Sequence, residues 1–392
     1  MGVTLRDVAQ RVGVSAGVAS TVLSGKKNSI GVSIATQLKV REAARELGYI
    51  LPKREVPEGP SYMGRRRTER GQSPLYAPDA GRPTAAGVVG ISCYLGHQDD
   101  FWHRLTLNAL ESVLADNGIV SRFFNLYQGD DAPPVLADQA NELLESDAIQ
   151  ALVIVDIHDA IGTAQISETL PAFLHKRIPV VCITNRELPV PVPNIINDQF
   201  ASGTLAALHL LERGGDRRLH FYSPFNKEWA KARIAGACAG AEIAGLGADV
   251  VVAWDKMDID DHCAYASPDA WDNRSSAAAT RFVREQLLPA YRMPESRSVP
   301  LSVIAASDKV AFDCIAAAAK EGLIVQRDFL IVGFDDTTDA RSQGLTSLHP
   351  PLREMGEEAG RILVRLMAGD RMNPQTRLRS RVIARDSTIW QP

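Results

Sequence analysis

The chain has 392 residues, of which 45% are hydrophobic and 23% charged, and its mean hydropathy is −0.09. At roughly 150 residues per domain, this length predicts two or three domains and excludes a single small module, and the composition excludes global disorder. No apolar run reaches the roughly 18 residues of a membrane-spanning helix, and the N-terminus is charged where a signal peptide is apolar. We therefore expect a soluble, cytoplasmic protein.

The charge is unevenly distributed along the chain. Residues 1–82 hold 14 Lys and Arg against 7 Asp and Glu, whereas the remaining residues carry an excess of acidic groups that brings the net charge to −4. A basic head on an acidic body indicates that the head contacts a polyanion such as DNA. The alternative is a solvated basic tail.

Apolar residues recur at helical spacing in residues 4–48, which favours folded helices over a tail. Thr4 and Asp7 have the spacing of a capping box at the start of a first helix. Ser15 starts a second short helix and Ser33 a third. The tight turn between the first two helices is typical of a helix-turn-helix, which places its second helix in the major groove of DNA.

Residues 52–83 are rich in proline, glycine and charge and predict a linker. Beyond them, apolar runs alternate with helical patterns, which predicts parallel sheets covered by helices on both faces. Strands are expected at 87–94, 122–127, 151–157, 179–184, 219–223, 249–254, 301–306 and 329–334. Helices are expected at 101–117, 133–146, 166–176, 198–213, 228–244, 275–288, 308–321 and 351–368. This spacing fits either one barrel or two doubly wound sheets, and both bind ligands at the carboxyl ends of strands.

Six blocks of sequence follow one another in a specific order. They are VTLRDVAQRVGVS (3–15), VASTVLSG (18–25), VSIATQLKVREAARELGY (32–49), VGFDD (332–336), LTSLHPPLREMGEEA (345–359) and RVIARDST (381–388). Together they resemble the LacI/GalR family of bacterial transcription regulators. The resemblance implies an α/β protein with a helix-turn-helix headpiece and a periplasmic-binding-protein-like effector domain of two doubly wound parallel-sheet subdomains.

The resemblance also implies a division of the chain. The headpiece is expected at 1–50, the linker or hinge at 51–85, and the effector-binding and dimerisation domain at 86–392. Three crossovers are expected to join the subdomains of the last domain. Subdomain one is expected to combine 86–196 with 326–345, and subdomain two 197–325 with 346–392.

Several headpiece residues are expected to contact DNA. The family reads bases with the start of the second helix, which falls here on Ala16, Gly17 and Thr21, where larger polar residues are common. Hydroxyls near helix starts are expected to position the module on phosphates, and a capping role is the alternative for each. These hydroxyls belong to Thr4, Ser15, Ser20, Ser24, Ser33 and Thr36.

The linker departs from the family pattern of a short hinge helix. Arg65, Arg66 and Arg67 are expected to follow phosphates without sequence preference, and a solvated spacer is the alternative.

The resemblance places a small-molecule effector between the two subdomains. RIAG (233–236) matches the family's RxxG, which assigns Arg233 to an effector oxygen, and SDKVAF (307–312) matches a block that assigns Asp308 to effector hydroxyls. A sugar-like effector needs flat rings and fixed polar groups. The residues expected to complete such a pocket are Phe101, Trp102, Thr184, Asn185, Arg186 and Trp271, with core packing as the alternative for the aromatic ones.

Patterns that suggest catalysis or metal binding are weak. Residues 13–17 spell the GxSxG of a nucleophile elbow, but no strand precedes the serine. The acidic segment 255–262 lacks the glycine and glutamate of a calcium loop and predicts a solvated loop. We therefore expect no enzyme, no cofactor and no metal site.

The sequence thus predicts an effector-controlled transcription factor, with repression as the expected sign. It is expected to bind a palindromic, double-stranded operator as a homodimer or higher oligomer. One alternative is a solute-binding receptor, which would lack residues 1–50. The other is a carbohydrate-processing enzyme, which would need paired carboxylates at the cleft.

Overall fold

The computed structural model divides the chain into two compact units, Met1–Gly81 and Arg82–Pro392. The residues that the structure describes are 4–23, 36, 39–40, 43–44, 47, 87–93, 101–125, 143–144, 149–157, 161–254, 256, 268–293 and 298–391. Within these ranges, no helix is both long and apolar enough to span a bilayer.

The smaller unit begins with two helices, α1 (Leu5–Val12) and α2 (Ala16–Leu23). Gly13 ends α1 with a φ of 73°, a left-handed conformation that favours glycine. Further residues are helical at 36, 39–40 and 43–44. The core shared by all three segments consists of Val8, Ala9, Ala19, Val40, Ala43 and Ala44, so the three predicted helices pack together.

The larger unit contains two six-stranded sheets. The strands are β1 (Val88–Cys93), β2 (Val120–Asn125), β3 (Ala151–Asp156), β4 (Val180–Thr184), β5 (Asn194–Asn197), β6 (Leu219–Tyr222), β7 (Val251–Ala253), β8 (Leu301–Ala305), β9 (Phe329–Phe334), β10 (Thr346–His349), β11 (Gln375–Leu378) and β12 (Arg381–Ile383). Sheet 1 has the order β11-β5-β4-β3-β1-β2, and sheet 2 has the order β12-β10-β9-β8-β6-β7. Pairing among these strands is parallel except between β10 and β12. Of the two predicted alternatives, the pair of doubly wound sheets is therefore confirmed and the single barrel is wrong.

Helices cover both faces of each sheet. They are α3 (Phe101–Asp116), α4 (Thr163–His175), α5 (Gln199–Leu211), α6 (Glu228–Ile243), α7 (Pro268–Phe282), α8 (Leu288–Arg292), α9 (Asp308–Lys320), α10 (Thr338–Ser342) and α11 (Leu352–Met367). In β3, Val153 lies in one apolar cluster and the neighbouring Leu152 and Ile154 lie in another. Successive side chains of a strand point to opposite faces, so a strand buried on both faces is apolar throughout.

The chain passes between the two sheets three times. Asp198 connects β5 of sheet 1 to α5, which packs on sheet 2. Pro350 and Pro351 connect β10 of sheet 2 to α11, which packs on sheet 1. Residues 379–380 connect β11 to β12. We call sheet 1 with α3, α4 and α11 lobe 1, and sheet 2 with α5 to α10 lobe 2.

The structure corrects the predicted division between the lobes. The segment 326–345 was expected in subdomain one, but β9 pairs with β8 and β10 and belongs to lobe 2. Within 346–392, α11 and β11 belong to lobe 1. The two sheets share the same apolar strand pattern, so composition does not show which sheet a strand joins.

Glycines allow two helix pairs to approach at backbone distance. A Cβ added to Gly356 of α11 would overlap the Thr106 carbonyl oxygen of α3, and one added to Gly236 of α6 would overlap the Phe200 carbonyl oxygen of α5. Because α5 and α11 both follow crossovers, these contacts fix each crossover helix to its own lobe.

We predict that Gly356→Ala separates α11 from α3 and destabilises lobe 1. The added methyl group meets backbone, which cannot rotate away, so the loss should be about 3 kcal/mol, at the upper end for overpacking. Chemical denaturation followed by circular dichroism measures it. Glu354→Ala, at an exposed position of the same helix, should cost about 1 kcal/mol or less. Equal stability of Gly356→Ala and the wild type would contradict this packing.

Candidate functional site

The start of α2 is held by local hydrogen bonds. The Ser15 hydroxyl accepts a hydrogen bond from the Val18 amide (3.2 Å), which caps α2. Ala19 is buried in the core of this unit, while Gly17 is exposed and Ser20 is half-buried. The first turn of α2 thus presents small side chains around a fixed backbone.

The start of α1 forms the predicted capping arrangement. The Thr4 amide and hydroxyl both donate to the Asp7 carboxylate, at 2.7 and 2.8 Å. These two hydrogen bonds lower the pKa of Asp7 below its ordinary value, with the bond from the Thr4 amide as the larger cause.

Arg233 lies on α6 in the larger unit and is only 4% exposed. Its guanidinium lies between two aromatic rings, 4.7 Å from the centroid of Trp229 and 4.1 Å from that of Phe334. Its Nε donates to Gln199 Oε1 (2.7 Å), and its Nη1 donates to the carbonyl of Ala306, which follows β8. Among the described residues, Nη2 has no hydrogen-bond partner.

The charge of Arg233 is retained at neutral pH despite its burial. Desolvation lowers its pKa to about 10, against the attraction of Asp335 and Asp308, which raises it. The site therefore contains a fixed positive charge at the carboxyl ends of the strands of sheet 2.

The two aspartates that follow β9 have unusual backbones. Asp335 has a φ of 112° and Asp336 a φ of 51°. Such conformations cost energy for residues other than glycine and cluster at functional sites. Asp336 accepts hydrogen bonds from Arg341 and His349 and forms an ion pair with Arg385. Asp335 is half-buried, and its negative charge attracts Arg233. Asp335 therefore supplies a negative charge beside the Arg233 guanidinium.

Asp308 is fully buried at the start of α9. Its Oδ1 accepts a hydrogen bond from the Ser347 hydroxyl (2.6 Å), and its Oδ2 accepts from the amide and hydroxyl of Thr337 (2.8 and 3.0 Å). Burial raises its pKa to about 6, against these hydrogen bonds, which lower it. The carboxyl group thus ties α9 to β10 and to the loop after β9.

In lobe 1, a second network lies at the carboxyl ends of β3 and β4. Arg186 donates from Nη2 to Asp156 (2.6 Å) and from Nε to the Thr163 hydroxyl (2.7 Å). The Thr184 hydroxyl donates to the Arg186 carbonyl (2.6 Å). Asn185 extends from this network toward Gln199, whose Nε2 donates to Asn185 Oδ1 (2.8 Å).

Known proteins resemble both units. The family model described as bacterial regulatory proteins, lacI family, matches residues 4–51, and that of a periplasmic binding protein-like domain matches residues 207–388. The chain is 26% identical over 377 residues to the HTH-type transcriptional regulator MalR of Streptomyces coelicolor, covering 94% of this chain and 91% of that protein. It is 24% identical over 397 residues to the HTH-type transcriptional repressor CytR of Escherichia coli, covering 99% of this chain and 97% of that protein. Both units of the chain are therefore similar to those of LacI-family regulators.

Solved structures show the same fold. The lac repressor dimer bound to operator and the anti-inducer ONPF has a TM-score of 0.59 at 19% identity, with 100% of both chains covered. A CelR–cellobiose complex has a TM-score of 0.57 at 20% identity, covering 98% of this chain and 99% of that one. By these matches, the chain is a DNA-binding transcriptional regulator with an effector-binding domain.

The structure places the effector residues expected from the sequence in different surroundings. Gln199 forms hydrogen bonds to both Arg233 and Asn185. Both oxygens of Asp308 accept hydrogen bonds inside lobe 2, and its contact with effector hydroxyls stays a prediction. Thr184 and Arg186 are likewise engaged inside lobe 1.

The expected aromatic residues also separate into different roles. Trp102 is 7% exposed and belongs to the core of lobe 1, and Phe101 packs on the same core, which favours the core-packing alternative. Trp271 lies on α7, and its side chain lies outside the described part of the structure. Sequence analysis missed Trp229, Gln199 and Asp335, although the VGFDD block contains Asp335.

In the headpiece, the hydroxyls of Thr4 and Ser15 act as caps, and Thr36 is helical. Ala16, Gly17, Ser20 and Thr21 occupy the first two turns of α2. Ser24, Ser33, Arg65, Arg66 and Arg67 lie outside the described residues.

Asp308 makes the stability of lobe 2 depend on pH. Its pKa is about 6 in the folded protein, above its ordinary value of 3.8, so it contributes most stability below about pH 4 and loses it as the pH rises through 6. We predict that the difference in unfolding free energy between Asp308→Asn and the wild type shifts by about 2 kcal/mol in favour of the variant between pH 4 and 7.

Chemical denaturation at several pH values measures this shift. Asp339→Asn, at an exposed position of α10, is the matched control and should show a much smaller shift. The same pH dependence in both variants would contradict the assignment to Asp308.

Proposed function

We propose that this regulator is a repressor whose affinity for its operator is set by a sugar-like effector bound between lobe 1 and lobe 2. The observation that carries this proposal is the Arg233 guanidinium, buried between two rings with Nη2 free of partners among the described residues and Asp335 beside it. A fixed donor and a fixed acceptor next to flat rings suit a neutral ligand with several hydroxyl groups.

The proposed class of effector also draws on proteins of the same fold. One similar structure is a complex with cellobiose, and another, a LacI family regulator from Enterococcus faecium, contains ribose and has a TM-score of 0.56 at 18% identity. That second comparison covers 78% of this chain and all of the other. We therefore place Arg233, Asp335 and Asn185 on the effector, with Trp229 or Trp271 against its apolar face.

For the DNA side, we propose that residues 1–50 form the headpiece and 51–85 the hinge. Small side chains at Ala16, Gly17, Ser20 and Thr21 let the backbone of α2 approach base edges closely. The hydroxyls of Thr4, Ser15, Ser24, Ser33 and Thr36 are proposed to face phosphates. Two headpieces of a homodimer would then span the half-sites of a palindromic operator in the cytoplasm.

Effector and operator are linked through the angle between the lobes. A ligand that bridges the lobes stabilises the arrangement to which it binds more tightly, and only this differential affinity shifts DNA binding. We propose binding without turnover of the effector, in contrast to a carbohydrate-processing enzyme. The match of residues 4–51 to the lacI family model favours a regulator over a solute-binding receptor.

We predict that Arg233→Lys and Asp335→Asn each weaken effector binding at least tenfold, because the first removes the guanidinium donors and the second removes a charged acceptor. A thermal-shift screen of cellobiose, ribose, nucleosides and sugar phosphates first identifies a ligand for the wild type, and calorimetry then compares the variants. Asp339→Asn should bind like the wild type. Unchanged affinity in both cleft variants would remove them from the effector site.

We predict that Arg65, Arg66 and Arg67, changed together to Gln, lower the salt dependence of DNA binding. Each lost phosphate contact should reduce the slope of log K against log salt by about 0.9, or by about 2.7 for three. Titration of a DNA fragment from upstream of the protein's own gene measures the slope. The control changes Arg217, Arg218 and Arg371, which are exposed in the larger unit. An unchanged slope for the linker variant would favour the solvated spacer.

A further inference from the structure

Gln199 lies where the chain enters lobe 2 for the first time. It is the first residue of α5, directly after the crossover residue Asp198, and it is only 2% exposed. Its side-chain amide uses both ends. The Oε1 atom accepts from Arg233 Nε (2.7 Å), and the Nε2 atom donates to Asn185 Oδ1 (2.8 Å).

These bonds form part of a continuous buried chain between the two sheets. Asn185 Nδ2 donates to the carbonyl of Ile157, which follows β3, and Arg233 Nη1 donates to the carbonyl of Ala306, which follows β8. Asn185 is 8% exposed and Arg233 is 4% exposed, so little water competes for these groups. From Arg233 to Ile157, every hydrogen bond runs in the same direction, which strengthens each through polarisation of its neighbours.

Only an amide satisfies both neighbours of Gln199. Arg233 Nε needs an acceptor and Asn185 Oδ1 needs a donor, and the glutamine side chain supplies both. A carboxylate would satisfy Arg233 but would place an oxygen against Asn185 Oδ1. Rotation of the Asn185 amide would only move this conflict to the Ile157 carbonyl. A leucine of similar volume would satisfy neither neighbour.

One bond of this chain is expected to respond to movement between the lobes. Gln199 and Arg233 both belong to lobe 2, on helices α5 and α6 that touch backbone to backbone, and the Thr204 hydroxyl also donates to the Gly236 carbonyl (3.0 Å). Asn185 belongs to lobe 1. Rotation about the crossovers therefore stretches the Asn185–Gln199 bond before it stretches the Gln199–Arg233 bond.

The crossovers near Gln199 are themselves bonded to each other. The Asp198 amide donates to the Leu378 carbonyl (2.8 Å), and the Ser202 hydroxyl donates to that of Ser380 (2.9 Å). The first and third crossovers thus move together, and Gln199 lies between them and Arg233.

We propose that Gln199 is a positioning residue that couples the angle between the lobes to the orientation of the Arg233 guanidinium. This inference rests on the proposed function in that Arg233 binds the effector. While Asn185 fixes the plane of the Gln199 amide, Gln199 Oε1 accepts the hydrogen bond from Arg233 Nε. The guanidinium then keeps one orientation, and Arg233 Nη2 points in one fixed direction. When the lobes separate, the amide rotates and Arg233 loses its fixed acceptor.

The test follows the Arg233 Nε–H proton directly in the full chain without any effector. Arginine side chains labelled with ¹⁵N give an Nε–H signal that is assigned to Arg233 by its loss in Arg233→Lys. Hydrogen exchange of this proton reports whether its acceptor is held. Because no ligand is used, a failed effector screen leaves this result intact, and failure of the coupling leaves the effector assignment intact.

The deciding variant is Asn185→Ala, because Asn185 bonds to Gln199 and to the Ile157 carbonyl but not to Arg233. Coupling predicts that exchange of the Arg233 Nε–H proton accelerates at least tenfold. The matched control is Asn117→Ala, which removes another asparagine side chain of lobe 1 that donates to a backbone carbonyl, that of Val113 (2.8 Å). Unchanged exchange in Asn185→Ala, or equal acceleration in both variants, would overturn the proposal.

A second set of variants separates positioning from a general loss of packing. Gln199→Glu should keep Arg233 Nε–H exchange slow, because a carboxylate holds the guanidinium by charge, and adding Asn185→Ala to it should then have no further effect. Gln199→Leu should lose the slow exchange. The exposed residue Gln343 provides both controls, Gln343→Glu and Gln343→Leu. Acceleration by Asn185→Ala even beside Gln199→Glu would show a path that does not involve Gln199.

Discussion

The site depends on how a buried positive charge is stabilised where the two sheets meet. Removing a guanidinium from water is costly, and the cost must be offset by hydrogen bonds, rings or opposite charge. Arg233 has all three: Gln199 and the Ala306 carbonyl accept from it, two rings sandwich it, and Asp335 lies nearby. Apart from Trp229 on α6 itself, the partners come from α5 and from the ends of β8 and β9, so the charge can be accommodated only when those elements are correctly assembled.

Long apolar strands and amphipathic helices were predictable from the sequence. The eight predicted strands all correspond to observed ones, most within two residues at each end, because strands buried on both faces are apolar throughout. Four strands were missed: β5, β10, β11 and β12. They are three or four residues long, and β11 and β12 lie at sheet edges with alternating exposure. Such strands are defined by their partners rather than by their own composition.

The site was predictable only in part, for a related reason. RIAG located Arg233, but a motif gives the residue type and not what surrounds it. Asp308 and Asp335 are equally plausible acceptors in the sequence. Only the structure shows that Ser347 and Thr337 bond to both oxygens of Asp308, and that Asp335 has a strained backbone and a charge that attracts Arg233. Gln199 has no motif at all, and its importance follows from the two side chains that it touches.

The interleaving of the lobes has a consequence for synthesis of the chain. Lobe 1 needs α11 and β11, and lobe 2 needs β12 together with Arg385, Ser387 and Thr388, whose side chains bond to neighbours near β9 and β10. Lobe 1 can therefore be completed on the ribosome only after residue 378 has emerged, and lobe 2 only after residue 388. Until β11 and β12 are added, the strands made earlier have unpaired edges, and unpaired strand edges are prone to aggregation. A chain released after residue 372 would lack an edge strand in both lobes, β11 in one and β12 in the other.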